Sequence, residues 1–266
     1  MKGLEPKRLD LDDQQLTSVP ESVTGMAGLE EVSLWRNELA SLPDFLWEMK
    51  GLRYLNVAEN RLSSLSERIG ALCDLHTLDI GHNALTALPE AIGSLRALRY
   101  FLYISHNHLT SVPESIGNLS ELAYLNITDN QLPSLPESIG NLRSLGELRL
   151  YGNQLTGLPD SIGGLRRLRE LHLSNNRIES LPASIGGLTA LTHLDLRNNR
   201  LASLPSAMAG LQSLEFLDLR ANKLTTVPEP LRELPRLRKL DLRWNKVRPL
   251  PDWITRLERN GCTVYW

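Results

Sequence analysis

Asparagine recurs along the chain every 23 residues, with one step of 24, and this spacing constrains the fold more than any other feature. Counting back one period from Asn37 gives Gln14, a longer amide. A period in this range indicates a solenoid of stacked units. About eleven units fill nearly all of the 266 residues, so no stretch as long as a catalytic domain remains. The series consists of Asn37, Asn60, Asn83, Asn107, Asn130, Asn153, Asn176, Asn199, Asn222 and Asn245.

Apolar residues hold fixed positions relative to each asparagine. They stand five and three residues before it, as Leu171 and Leu173 do, and this period of two indicates a strand. Others follow nine, twelve and fifteen residues after it, as Ile139, Leu142 and Leu145 do. Because one unit cannot bury this apolar edge alone, stacked units must share a continuous core.

The polar and special residues of the unit are also interpreted as structural. A buried amide without partners would cost about 1–3 kcal/mol, so the repeated asparagines are predicted to bond backbone groups in a ladder. Proline six residues later, replaced by Ser66 in one unit, is expected to begin a short helical segment. The glycine of the Ile-Gly pair is predicted to end it in a left-handed or tight-turn conformation. These glycines are Gly70, Gly93, Gly117, Gly140, Gly163 and Gly186.

Two segments carry a family resemblance, Leu109–Leu119 (LTSVPESIGNL) and Leu171–Pro182 (LHLSNNRIESLP). They match the leucine-rich repeat pattern L-x-x-L-x-L-x-x-N-x-L-x-x-L-P-x-x-I-G-x-L-x-x-L, and the match extends from about Leu9 to Leu257. The chain resembles the group that contains plant intracellular Ras-group, Ras-pathway scaffold and many bacterial leucine-rich repeat proteins. The resemblance implies an α/β horseshoe with a parallel β-sheet on the concave face, short helical or 3-10 turns on the convex face, and protein binding on the concave face.

The chain is predicted to form one solenoid domain over residues 1–266. An uncapped solenoid exposes core at its ends, so residues 1–13 are interpreted as an N-terminal edge strand and cap, and residues 253–266 as a C-terminal cap. Thr263–Trp266 is predicted to be a last strand. The apolar bulk of the C-terminal cap comes from Trp253, Val264, Tyr265 and Trp266.

Composition predicts a soluble, cytoplasmic monomer. The net charge of −2 gives no electrostatic footprint for nucleic acid, and no apolar run approaches the roughly 18 residues that span a bilayer. Cys73 and Cys262 fall in distant units and are expected to be reduced. The polar, charged N-terminus is not expected to encode a cleaved secretion signal. A type III effector would also lack such a signal, so delivery into a host cell stays open.

The concave face is predicted from the strand positions six, four, two and one residues before each asparagine. In the earlier units these positions collect aromatic residues, which are common interface anchors; alternatively, Tyr and His simply suit strands. In the later units Asp and Arg rows run side by side; they are interpreted as neutralising one another, as gripping carboxylates of a partner, or as doing both at once. The predicted protein-binding residues are Trp35, Tyr54, His82, Tyr103, His106, Tyr124, Tyr151, His172, His193, Arg197, Arg220, Arg243 and Trp244.

No catalytic, cofactor or metal residue is predicted, because the sequence contains no P-loop, G-x-G-x-x-G, H-E-x-x-H or nucleophile-elbow motif. His82, His106 and His108 are interpreted as surface residues, since no thiolate or carboxylate completes an evident metal site. The single 24-residue step places an extra residue near Tyr100 and Phe101. We predict a bulge that moves one of these rings to the rim beside Tyr124, and that either shapes the concave face or is merely tolerated.

These features favour a non-catalytic protein-interaction module or adaptor of bacterial style, which binds a protein partner through the concave face between the second and ninth units. A second hypothesis is the substrate-recognition arm of a ligase or host-directed effector system with catalysis elsewhere. A third is a self-associating structural solenoid. The identity of the partner is not encoded in recognisable residues.

Overall fold

A computed structural model describes residues 7–26 and 28–266, and within them one twelve-stranded parallel sheet runs in chain order. Each strand pairs in register with the strand of the next unit, for example Leu55 opposite Leu78. The predicted fold class is therefore confirmed. The strands are β1 (Arg8–Asp10), β2 (Glu31–Ser33), β3 (Tyr54–Asn56), β4 (Thr77–Asp79), β5 (Phe101–Tyr103), β6 (Tyr124–Asn126), β7 (Glu147–Arg149), β8 (Glu170–His172), β9 (His193–Asp195), β10 (Phe216–Asp218), β11 (Lys239–Asp241) and β12 (Thr263–Tyr265).

The convex face is built from short 3-10 helices, each preceded by proline or serine. Proline fixes φ, as at Pro113 (φ −67°). Where Ser66 replaces proline, its hydroxyl caps the helix by accepting a hydrogen bond from the Arg68 amide at 3.1 Å. The helices span Glu21–Gly25, Asp44–Glu48, Glu67–Ala71, Glu90–Ser94, Glu114–Asn118, Glu137–Asn141, Asp160–Gly164, Ala183–Gly187, Ser206–Gly210 and Glu229–Glu233.

The repeated leucines form one continuous core between the sheet and the 3-10 helices, as the apolar pattern predicts. The asparagine ladder joins the coils. Asn130 is 6% exposed; its Oδ1 accepts from the Leu109 amide at 2.9 Å, and its Nδ2 donates to the Ile104 carbonyl of the preceding unit at 3.0 Å. The predicted ladder is confirmed. Gln14 is exposed, and its backbone amide donates to Oδ1 of Asn37 at 3.1 Å.

Of the two conformations predicted for the Ile-Gly glycines, left-handed or tight-turn, the left-handed one is wrong. Gly117 lies inside a 3-10 helix, and the positive φ values of the described glycines are at Gly152 and Gly261. A Cβ atom built on Gly117 would lie 2.5 Å from the Ser138 carbonyl oxygen of the next coil. These glycines therefore allow adjacent 3-10 helices to stack closely. Left-handed residues occur instead directly before the asparagines, as at Ala221 (φ 51°).

The extra residue of the 24-residue step is absorbed just before β5. In regular units the last residue before the strand and the first strand residue both donate their amides to one carbonyl of the preceding unit. Before β5 the two donors to the His76 carbonyl are Arg99 and Tyr100, at 3.3 and 3.1 Å, so the pair lies one residue earlier than usual, and regular register resumes at Phe101. Tyr100 is left 52% exposed against the His76 ring, whereas Phe101 lies on the concave face beside Tyr124. This irregularity corresponds to the predicted bulge.

At the C-terminal end, helix α1 (Trp253–Arg259) leads into β12, which pairs with β11. The function of these elements as a cap stays a prediction. Residues 1–6 of the proposed N-terminal cap lie outside the described residues. In the part of the chain that the structure describes, no helix has the length and apolarity needed to cross a membrane.

Candidate protein-binding face

The concave face is formed by the residues that flank the central leucine of each strand. In β6, Leu125 is fully buried in the core, while Tyr124 at the start of the strand is half-buried on the opposite side. The same alternation in every unit produces rows of side chains across the sheet, about 4.8 Å apart. The predicted site residues all occupy these rows or the residues just after each strand.

Phe101, Tyr103 and Tyr124 form a central aromatic cluster. The Tyr103 and Tyr124 ring centroids are 5.1 Å apart, and Phe101 lies 5.7 Å from Tyr103 and 5.5 Å from Tyr124. The Arg149 guanidinium lies 5.5 Å from the centroid of the Tyr124 ring, a cation–π arrangement. Because Phe101 is 42% exposed, the cluster offers an apolar surface to solvent at the centre of the concave face.

The phenols of this region are held in their neutral form. Burial raises the pKa of Tyr124 to about 12. Burial also raises the pKa of Tyr103, with a further contribution from the nearby Asp79 carboxylate. Each phenol therefore keeps its hydroxyl hydrogen at neutral pH and is available as a hydrogen-bond donor beside an apolar ring.

The other predicted aromatic residues are distributed along the face. His82 and His106 stack with their ring centroids 4.0 Å apart, and His106 Nε2 lies 3.3 Å from Asp129 Oδ2. The Arg36 guanidinium carbon lies 5.8 Å from the centroid of the Trp35 ring. Among the described residues, no aromatic pair includes Trp35, Tyr54 or Tyr151, so these side chains lie on the face without joining the central cluster.

The Asp and Arg rows of the later units neutralise one another. Arg220 Nε donates to Oδ1 of Asp218 at 2.9 Å, and its Nη2 donates to Oδ2 at 2.5 Å. Burial would raise the pKa of Asp241, but hydrogen bonds from Arg243 hold it below its usual value. The geometry therefore supports mutual neutralisation, and the gripping of partner carboxylates by these arginines stays a prediction. The pairs are Asp195–Arg197 (3.5 Å), Asp218–Arg220 (2.5 Å) and Asp241–Arg243 (2.6 Å).

A shallow groove of about 230 Å³ lies on the face across β8 to β11. Its floor contains the stacked rings of His193 and Phe216, whose centroids are 4.4 Å apart. His172 lines one end and Lys239 the other. Beyond the groove, Trp244 is 72% exposed and packs near the guanidinium groups of Arg220 and Arg243, 5.9 and 5.8 Å from its ring centroid.

One group of three possible metal ligands occurs within the described ranges. Ligand atoms of Glu147, Glu170 and His172 all lie within 4.8 Å of one another. Arg149 Nε already donates to Oε1 of Glu147 at 2.5 Å, and His172 Nε2 lies 3.2 Å from Glu170 Oε2. An arginine bound at the same carboxylate opposes a metal cation by charge repulsion, so we interpret the group as a network of polar side chains.

Four contributors to this face were absent from the predicted set, namely Phe101, Arg149, Phe216 and Asp79. Each occupies a position six or four residues before its asparagine, so the same counting rule that selected Tyr124 would have found them. Phe101 and Phe216 lack the polar handle on which the selection was based. Arg149 contributes through its contact with Tyr124, and Asp79 through its effect on Tyr103. Counting positions along the sequence does not reveal such contacts.

The stacked parallel strands and convex 3-10 helices define a solenoid repeat protein with an open concave sheet. The family model for the leucine-rich repeat region matches residues 44–123, 113–197 and 140–260. The chain belongs to the leucine-rich repeat family. The search of curated proteins returned no match.

Several solved structures are similar along most of the chain. A leucine-rich repeat protein of Leptospira interrogans is 33% identical over 98% of this chain and 72% of its own, with a TM-score of 0.78. The Yersinia pestis leucine-rich effector YopM is 30% identical over 90% of this chain and 61% of its own, with a TM-score of 0.71. The Arabidopsis receptor kinase HAESA, solved with the peptide hormone IDA and the co-receptor SERK1, is 30% identical over 95% of this chain and 44% of its own, with a TM-score of 0.79.

Proposed function

We propose that this protein is a non-catalytic interaction module, and that it binds a protein partner on its concave face with the central aromatic cluster as the anchor. The observation that carries the proposal is the exposed ring of Phe101, packed against Tyr103 and Tyr124 at the middle of the concave sheet. Tyrosine is enriched among the residues that dominate binding energy at protein interfaces. A monomer in the cytoplasm, without nucleic-acid or membrane partners, is part of this proposal.

The energetics of the face also favour protein binding. Covering an apolar ring removes it from water, at roughly 25 cal/mol per Å² of apolar surface. The rings are already held in place by their neighbours and by Arg149, so little side-chain freedom would be lost on binding. The receptor kinase HAESA, which is similar to 95% of this chain, was solved with a peptide hormone, and this supports a polypeptide ligand here.

A second candidate is the recognition arm of an effector or ligase system whose catalytic part lies elsewhere. The likeness to the Yersinia pestis leucine-rich effector favours it. Both candidates use the same face for recognition and differ in what is recruited to it. Co-purification of a ligase or other enzyme with the captured partner would favour the second.

The test is a crosslinking pull-down from extract of the source cells. The wild-type protein is compared with a Tyr103→Ala, Tyr124→Ala double variant shown by circular dichroism to be folded. We expect at least one protein that the wild type captures and the variant does not. Tyr100→Ala is the matched control, because it removes an exposed tyrosine that lies off the central aromatic cluster.

Equal capture by the double variant would contradict concave-face binding through this cluster. Loss of capture in Tyr100→Ala as well would assign the effect to general removal of exposed aromatic surface. Self-association, the third hypothesis, is separated by light scattering after size-exclusion chromatography. Our proposal requires a mass that stays monomeric as the protein concentration rises.

A further inference from the structure

Aspartate occupies the position four residues before the asparagine in four units, and its surroundings differ in one of them. In every case its Oδ1 accepts a hydrogen bond from the backbone amide two residues later, at 3.0 Å for Asp79 and 3.1 Å for Asp218. The carboxylates are thus held in the same orientation. The four residues are Asp79, Asp195, Asp218 and Asp241.

The units differ in the residue that supplies this amide. In the three later units it is an arginine, whose guanidinium folds back onto the carboxylate, as Arg220 does onto Asp218. In the unit that contains Asp79, which is the fourth along the chain, the residue is Gly81, which has no side chain. Within residues 7–26 and 28–266, no basic nitrogen lies within 4.0 Å of the Asp79 carboxylate.

Gly81 places no side chain over the Asp79 carboxylate. The backbone position itself is tightly packed, because a Cβ atom built on Gly81 would lie 3.2 Å from Asp79 Oδ1 and 3.3 Å from Ser105 Oγ. Ala58 and Ser105, in the same row of neighbouring units, are also small and buried. Tyr103 pairs directly with Asp79 across the sheet and places an aromatic ring next to the carboxylate.

We propose that the slot formed by Asp79, Gly81, Ser105 and Tyr103 receives an arginine side chain of the protein partner. The partner would thereby supply the guanidinium that this chain supplies for itself in the later units. A planar guanidinium donates two parallel hydrogen bonds to a carboxylate and stacks on an aromatic ring, whereas a lysine ammonium does so less well. The inference rests on the proposed function, because the slot adjoins the central aromatic cluster.

The local charge is consistent with this ligand. Burial raises the pKa of Asp79 above its usual value; the hydrogen bond from the Gly81 amide and the nearby His82 ring act in the opposite direction, and the Glu59 carboxylate adds to the rise. A carboxylate that is partly desolvated without a cation is in an unfavourable state that a bound guanidinium relieves. An anion would be repelled by the carboxylate, and an apolar side chain would leave it unpaired.

The first test is a nuclear magnetic resonance titration with acetyl-arginine-amide as the probe. We expect the Gly81 amide resonance to shift with a dissociation constant in the millimolar range. The Arg220 amide, in the equivalent but filled position, is an internal control and should not shift. Acetyl-citrulline-amide, a neutral molecule of the same shape, should bind at least about tenfold more weakly. Equal effects of the two probes, or no shift at Gly81, would overturn the proposal.

Two variants test the slot itself. Asp79→Asn keeps the acceptor for the Gly81 amide and removes the charge, and Gly81→Arg fills the slot with an internal guanidinium. Both should abolish the arginine-specific shift while the circular dichroism spectrum is unchanged. If Gly81→Arg does not fold, Asp79→Asn still decides the outcome, because it is nearly the same size as the wild-type residue.

The pull-down separates this inference from the proposed function. If Tyr103→Ala, Tyr124→Ala loses the partner while Asp79→Asn and Gly81→Arg keep it fully, the concave face binds but the arginine slot is refuted. If the slot variants lose the partner by about tenfold or more, the slot is supported. If the tyrosine variant keeps the partner, the proposed function itself fails.

Discussion

Replacing Asn130 with alanine tests how strongly the asparagine ladder joins the coils. Asn130 is 6% exposed and makes two hydrogen bonds to the preceding unit, with the Leu109 amide at 2.9 Å and the Ile104 carbonyl at 3.0 Å. It also donates to the Thr128 carbonyl of its own unit at 3.1 Å. Alanine would leave these backbone groups without their partner inside the solenoid.

The magnitude follows from these contacts. Each of the two bonds between units contributes roughly 0.5–1.5 kcal/mol, and a buried amide left unsatisfied costs about 1–3 kcal/mol. We therefore expect Asn130→Ala to lower the free energy of unfolding by about 2–4 kcal/mol. Asn245 makes the same pattern of bonds but is half-buried at the end of the array. Because water can replace its bonds, Asn245→Ala should cost about 1 kcal/mol.

Asn130→Asp separates donor from acceptor. Aspartate keeps the acceptor for the Leu109 amide but, when ionised, presents no donor to the Ile104 and Thr128 carbonyls. Burial near carbonyl oxygens raises the pKa of such a carboxyl above its unfolded value. The folded state then binds the proton more tightly, so the variant should gain stability relative to wild type as the pH falls through that raised pKa.

The assay is urea denaturation followed by circular dichroism, with the three variants and the wild type at several pH values. A loss below about 1 kcal/mol for Asn130→Ala would refute the assignment of the ladder to inter-unit stability. Equal losses at Asn130 and Asn245 would refute the dependence on burial. An Asn130→Asp variant whose stability relative to wild type does not change with pH would show that its carboxyl is solvated.

Three further predictions concern single positions. Gly117→Ala should lower the free energy of unfolding by about 1–3 kcal/mol in urea denaturation, because its Cβ would lie 2.5 Å from the Ser138 carbonyl oxygen; Gly146→Ala, with its nearest atom at 3.6 Å, should be tolerated. Ala221→Gly should raise the melting temperature, stabilising by about 0.5–1 kcal/mol, since φ is 51° there. Asp79→Asn should be more stable than wild type at neutral pH, and this difference should shrink as the pH falls through the raised pKa of Asp79 toward 3.8.

The fold was predictable because every unit must bury the same set of apolar side chains. A Leu that fails to point inward would expose apolar surface in each coil, so the period fixes the direction of every strand side chain. The asparagine ladder followed from the cost of an unpaired buried amide. The glycines were misinterpreted for a physical reason, since the clearance between adjacent coils is a property of two units and a single unit does not contain it. Gly117 is required by the backbone of the following coil.

The concave face was predictable as a set of positions but not as a set of contacts. Counting from the asparagine placed Tyr103 and Tyr124 on the same side of the sheet, and whether their rings meet depends on side-chain rotamers. Trp35 and Tyr54 satisfied the same count, yet they lie outside the central aromatic cluster. Phe101 was left out because it has no polar group, although its exposed ring completes that cluster.

In a repeat protein, equivalent positions of different units can be compared directly, and a difference between them points to function. Asp79 and Asp241 occupy the same position on strands of the same geometry, so the repeat alone would give them the same pKa. Burial raises the pKa of Asp79, whereas hydrogen bonds from Arg243 outweigh burial and lower that of Asp241. One source of the difference is the residue two positions later, glycine in one unit and arginine in the other; Arg220 of the preceding unit also lowers the pKa of Asp241, and Glu59 raises that of Asp79. Stability constrains what the units share, so a binding site is best sought where one unit lacks a side chain that equivalent units possess.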